Sequence, residues 1–314
     1  MTLLLGRRSV ALALFGFTLG LSPDALAYCR TTTEALPANY SPSRGCFTDG
    51  LLLFWRNACV SYSINTDATA SIPFADAERV IDASFATWSS TSCPDTGQAP
   101  GIAISNVGPA ECAEVRYNPD SPNQNLIVFR ENGWPYNDPN NTLGLTTVTF
   151  NADTGEIYDA DLELNASARN LSITDQVSAN GFDLASVVTH EAGHFLGLAH
   201  ATDARSTMFA SYKPGTVALR TLTEDDRAGL CAIYPNATSR IVTATSAQQE
   251  VLAAEACNPT PRHGLTAKCS EPRPPEDTSK CSATPGLRAG GAGAGALVAG
   301  LALLLARRRR RREP

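Results

Sequence analysis

Three of the four histidines in this 314-residue chain fall in one short run, His190-Glu191-Ala-Gly-His194-Phe-Leu-Gly197-Leu-Ala-His200. On a helix, His190 and His194 stand one turn apart and point the same way, as two ligands of one metal must. Glu191 lies beside them without being a ligand, placed to take a proton from a metal-bound water. Gly197 lets the chain reverse sharply so that His200 returns as a third ligand. Three imidazoles leave a fourth position open, which is the pattern of a catalytic rather than a structural zinc.

The surrounding sequence supplies elements that can position this run. Asp183 caps a helix through Phe195, with Leu184, Val187 and Val188 facing inward and Gly197 ending it. Thr223-Glu-Asp-Asp226 starts a last helix through Ile233 in the manner of a capping box. Upstream, Trp55 to Asn65 alternates apolar and polar at Val60, Tyr62 and Ile64, which predicts a half-buried strand. Pro73 to Trp88 has helical spacing, with Ala77, Val80, Ile81, Phe85 and Trp88 on one stripe. Gly101 to Val107 and Leu126 to Phe129 read as short strands. Leu143 to Phe150 and Glu156 to Leu164 read as a strand pair around a turn at 151–155. Strand, helix, strands, helix, helix is the order of an α/β or α+β layer arrangement.

The long histidine motif, together with Met208 in Ser206-Thr207-Met208-Phe209 and the segment Leu222 to Tyr234 with its Asp225-Asp226 pair, resembles the metzincin zinc peptidases, and within them the matrixins. The likeness covers roughly residues 55–235 and is strongest after 183. It implies a metzincin-like fold, with a twisted, mostly parallel five-stranded sheet, an active-site helix and a small C-terminal subdomain. It also implies a zinc-dependent endopeptidase that hydrolyses peptide bonds of extracellular proteins or peptides. His190, His194 and His200 would bind the zinc, Glu191 would be the general base and Met208 would floor the site. Tyr212 would line the pocket for the residue after the scissile bond, although the family's Pro-x-Tyr is Ala210-Ser211-Tyr212 here.

The chain departs from the family in two other places. No histidine occurs between residues 28 and 189, so a second, structural zinc site has no ligands of that kind and one zinc is expected. The Pro-Arg-Cys-Gly switch of matrixin zymogens is missing; Ser43-Arg44-Gly45-Cys46 has the wrong order, and Cys46 reads better as a disulfide partner. Because the family binds calcium, the resemblance admits calcium near Asp159, Asp161 and Glu163, beside the Asp153–Gly155 turn. A plain solvated acidic face is the simpler reading of that alternation. A zinc-holding but inactive surface binding or adhesion domain is the alternative function, and it has no use for Glu191.

Composition and the chain ends set the context. Hydrophobic residues make up 43% and charged residues 18%, which excludes a wholly disordered chain. Without the first 27 residues and the tail from Arg307, 17 basic face 29 acidic groups, so nucleic acid is not expected as a partner. Arg7-Arg8, an apolar run and Ala25-Leu-Ala27 predict a secretory signal peptide over 1–27, and nine cysteines fit an oxidising compartment. After an N-terminal segment (28–54) and a zinc peptidase domain (55–235), a Pro/Ala/Thr/Ser-rich stretch (236–288) reads as a stalk. Residues 289–306 have the length and lack of charge of a membrane span, followed by an Arg-rich cytoplasmic tail (307–314). The Gly-rich start and terminal arginines resemble bacterial C-terminal sorting tags best known from myxobacteria, so contact with a membrane would be either lasting or transient. Among the cysteines, Cys93 and Cys112 bracket the second strand and are expected to pair; Cys29 with Cys231 is a second expected pair. Cys257, Cys269 and Cys281 fall in the stalk.

Overall fold

The computed structural model describes residues 27–167, 170–236, 239–245, 248–253 and 257–269. The expected signal peptide up to residue 26, Cys281, the C-terminal span and the arginine tail lie outside them. Among the described residues, no helix is long and apolar enough to cross a membrane.

A short strand β1 (Cys29–Arg30) comes first among the described residues. Strand β2 (Cys59–Asn65) leads into helix α1 (Phe74–Ser89), and β3 (Ala103–Ala110), β4 (Leu126–Arg130), β5 (Gly144–Phe150) and β6 (Ile157–Asn165) complete a five-stranded sheet. The sheet order is β3-β2-β4-β6-β5; β2, β3, β4 and β6 run parallel, and only the edge strand β5 is antiparallel to its neighbour. The two-residue strands β7 (Leu171–Ser172) and β8 (Phe182–Asp183) pair just before helix α2 (Leu184–Phe195). Strand β9 (Leu198–Ala199), helix α3 (Glu224–Ile233) and a hairpin of β10 (Ser239–Thr245) and β11 (Gln248–Ala253) follow. This mixed sheet with helices on one face is the α/β arrangement expected.

The core lies between the sheet and its helices. Val60, Tyr62, Ile64, Ile127, Phe129, Leu162 and Leu164 face α1 and α2, and Phe85 and Phe195 meet edge to face at 5.3 Å in the middle. Helix α1 lies along α2, and the Trp88 indole donates to the Thr189 carbonyl at 2.8 Å. The backbone beside the histidine run is thereby bonded to a side chain wholly inside the core.

The opposite face of the sheet overturns two expectations. Strand β2 is buried on both sides, not half-buried. Asp159, Asp161 and Glu163, expected on a solvated face, are 2%, 2% and 0% exposed. Part of the cover over β2 comes from sequence that composition assigned to a stalk. Residues 257–269 return to this face through the disulfides Cys59–Cys257 and Cys112–Cys269, and the Ser61 hydroxyl donates to the Pro259 carbonyl. Glu111 donates its amide to Ala267 at 2.7 Å, and Asn123 pairs with Leu265. Two of the three buried acids find partners within the fold: Asp161 accepts from the Leu126 amide at 2.8 Å, and Glu163 accepts from the Arg130 guanidinium and the Tyr136 hydroxyl.

The disulfides also correct the expected pairing. Cys93 is joined to Cys231 rather than to Cys112, and Cys29 to Cys46 rather than to Cys231. Bracketing a strand brings Cys93 and Cys112 near in sequence, whereas the fold sets the segment after α1 against α3.

Candidate metal centre

Helix α2 begins where the Asp183 carboxylate accepts from the Ser186 amide at 2.8 Å. The helix carries His190 and His194 on one side, one turn apart. It ends at Phe195, and Gly197, with φ +93°, turns the chain back toward His200. A side chain at Gly197 would be strained by that φ and would also meet the Leu53 carbonyl oxygen at 2.9 Å. The three imidazoles thus converge, with ring centroids 4.8 to 5.2 Å apart. Among the described residues they are the only group of three or more His, Cys, Asp or Glu side chains placed to hold a metal.

The donor chemistry fits zinc. His190 Nδ1 lies 2.7 Å from the Thr207 carbonyl, and His194 Nδ1 lies 2.9 Å from the Leu198 carbonyl. A carbonyl only accepts, so each Nδ1 carries the proton and each Nε2 keeps its lone pair for a metal. Burial, reinforced by the charge of His194, holds the His190 imidazole down at about 4. Burial together with His194 and His190 holds His200 down at about 2. Both rings are therefore neutral at physiological pH, as metal ligands must be.

Met208 packs beneath this group, 2% exposed. Gly193 makes the approach possible, since a Cβ there would lie 2.1 Å from Met208 Sδ. The Met208 turn is fixed by Asp226 on α3, which accepts from the Thr207 amide at 2.8 Å, the Met208 amide at 3.2 Å and the Ser206 hydroxyl. The same carboxylate closes the capping box with Thr223. Its neighbour Asp225 points away and accepts from the amides of Ala27 and Tyr28.

Glu191 is 6% exposed and lies next to the three histidines, under the edge strand β5. Thr146 on that strand donates to Glu191 Oε2 at 2.8 Å, and its hydroxyl is also 3.1 Å from the Glu191 carbonyl. Sequence reading missed Thr146, because a threonine in a strand reads only as β-propensity. Tyr212 lies beside the start of α2. Its hydroxyl accepts from the Asp183 amide at 3.3 Å and donates to the Thr216 carbonyl, and its ring stacks obliquely on Phe182 at 5.8 Å. Arg220 clamps the same loop to the helix cap through two bonds to Asp183 of 2.6 and 2.7 Å. Asp159, Asp161 and Glu163, candidates for calcium, stand apart from this group; Asp161 and Glu163 are engaged as described above, and Asp159 Oδ1 is buried without a hydrogen-bond partner.

Residues 54–235 match the matrixin family, Peptidase_M10. The chain is similar to human matrix metalloproteinase-20, with 25% identity over 185 residues that make up 57% of this chain and 32% of the relative. It is similar to human neutrophil collagenase, at 28% over 183 residues, 57% of this chain and 33% of the relative. Soybean (Glycine max) metalloendoproteinase 1 is 35% identical over 112 residues, 35% of this chain and 34% of the relative. The chain spans about a third of the length of these relatives. With more than half its length matched, the chain belongs to the matrixin family.

Proposed function

We propose that this protein is a zinc-dependent endopeptidase acting on extracellular proteins or peptides. The observation that carries the reading is a carboxylate, Glu191, held beside three convergent imidazoles, two of which, His190 and His194, have their outer nitrogens already committed to backbone carbonyls. His190, His194 and His200 hold one zinc, which when bound supplies a Lewis acid that acidifies water and polarises a peptide carbonyl. Glu191 accepts the proton of the attacking water and passes it to the leaving amine. Thr146 keeps the carboxylate turned to that task, Met208 keeps the histidines packed from below, and Tyr212 walls the pocket for the residue after the scissile bond. An inactive zinc-holding domain would need the ligands but not an oriented, hydrogen-bonded carboxylate beside them.

Export follows from the signal-like first 27 residues, and four disulfides among the described residues suit an oxidising compartment. The C-terminal segment then serves as an anchor or a removable sorting tag. The test is cleavage of an unbiased peptide library by the exported protein, with and without a zinc chelator. Chelator-sensitive cleavage at internal bonds is expected; binding of peptides without cleavage would replace this reading with that of a binding domain.

A further inference from the structure

The backbone that carries His200 is held by residues outside the part of the chain matched to the family. Strand β1 pairs antiparallel with β9, Arg30 opposite Leu198 and Cys29 opposite Ala199, so it runs along the segment that delivers His200. Thr31 continues the contact: its amide donates to the Gly197 carbonyl at 2.9 Å and its hydroxyl to the Leu198 carbonyl at 3.0 Å. That Leu198 carbonyl is the one that receives Nδ1 of His194. One oxygen therefore links Thr31 to the orientation of one imidazole, and its own peptide lies two residues before another. The strand is fixed from behind by the Cys29–Cys46 disulfide and by the Leu53 amide, which donates to the Thr31 carbonyl at 2.9 Å.

We propose that β1 and Thr31 are a brace for the metal centre, and that Thr31 is a positioning residue which sets how tightly zinc is retained. The brace acts by confining the Leu198 carbonyl. With Thr31 in place that oxygen faces His194 from a fixed point, which orients the ring and keeps the 197–200 turn closed. Without the hydroxyl the β1–β9 pairing remains, but the Leu198 carbonyl loses the donor opposite His194 and the ring is less closely aimed. Outer-shell partners of metal-bound histidines typically contribute about 10- to 100-fold to metal affinity. Because the inference rests on reading His190, His194 and His200 as the zinc ligands, its test must separate the two.

The experiment uses the exported full chain loaded with zinc, as wild type, Thr31→Val and Thr31→Ser, with affinity measured by competition against a chromophoric chelator. Melting temperatures of the metal-free proteins are measured alongside. The expected result is an affinity roughly 10- to 100-fold weaker in Thr31→Val, recovery in Thr31→Ser, and metal-free melting temperatures alike in all three. If Thr31→Val does not fold, Thr31→Ala removes the hydroxyl without filling space and takes its place. Wild-type affinity in the hydroxyl-free variant overturns the brace. So does a loss that serine fails to restore, or one matched by an equal fall in metal-free stability. A wild-type protein that holds no zinc overturns the ligand reading, and the brace with it.

Discussion

The hydroxyl of Thr146 donates to Oε2 of Glu191 at 2.8 Å, across 45 residues of sequence and from the one antiparallel strand of the sheet. The bond fixes a carboxylate that would otherwise rotate freely about its last torsions. A hydrogen bond to a charged group is worth about 1.5–3 kcal/mol. Thr146→Val is therefore expected to lower kcat by roughly one to two orders of magnitude, with KM and zinc content little changed, while Thr146→Ser keeps most of the turnover. Steady-state kinetics with metal analysis on the same samples checks this.

Gly193 is set by its contact with Met208 rather than by its backbone angles. Gly193→Ala would place a carbon against Met208 Sδ and near the Trp88 ring, in a part of the core with no slack. Overpacking of this kind costs about 1–3 kcal/mol. A melting temperature lowered by several degrees is expected, and an unchanged one would mean that the Met208 turn moves aside at no cost.

The buried acids give the fold a pH dependence of defined sign. Burial pushes Asp159 up to about 7, and burial with the neighbouring Asp159 charge raises Asp161 well above the usual carboxylate range. A group whose pKa is raised in the folded state contributes its stability at low pH. That contribution is lost as pH rises from the unfolded value toward the folded one. Asp159→Asn removes the charge while keeping the shape, so the variant should gain stability relative to wild type between about pH 4 and pH 7. Urea unfolding of both proteins at pH 5 and pH 8 reads the difference; histidine titration is common to both and cancels.

Non-reducing peptide mapping of the exported protein should recover Cys93 linked to Cys231 and Cys112 linked to Cys269. Removing Cys93–Cys231 by a double serine substitution should cost roughly 2–5 kcal/mol, since it closes a long loop. A Cys93–Cys112 peptide would contradict the fold of the region around β3.

What was legible in the sequence was local. The helix that carries His190 and His194, its Asp183 cap and the capping box at Thr223 each follow from contacts within one or two turns, where spacing is geometry. The five main strands and both long helices lie within four residues of their expected bounds for the same reason. The rest depended on residues far apart. Cys93 meets Cys231 across 138 positions, and residues 257–269 return to the sheet through Cys59–Cys257 and Cys112–Cys269. Nothing in a Pro- and Thr-rich composition announces that return, although two cysteines twelve residues apart in a presumed stalk were a signal that it must be tied to something. Thr146 and Thr31 carry no motif at all; their roles come from what the fold sets opposite them.

The account stands most directly on Glu191, and the measurement that tests it is peptidase turnover with zinc content in Glu191→Gln. The amide keeps the size of the side chain and can still bond to Thr146, but it cannot take a proton. The account predicts zinc bound as in wild type, with turnover reduced by roughly two to four orders of magnitude, the usual weight of a positioned general base. Near-wild-type turnover in a fully zinc-loaded Glu191→Gln protein would contradict it.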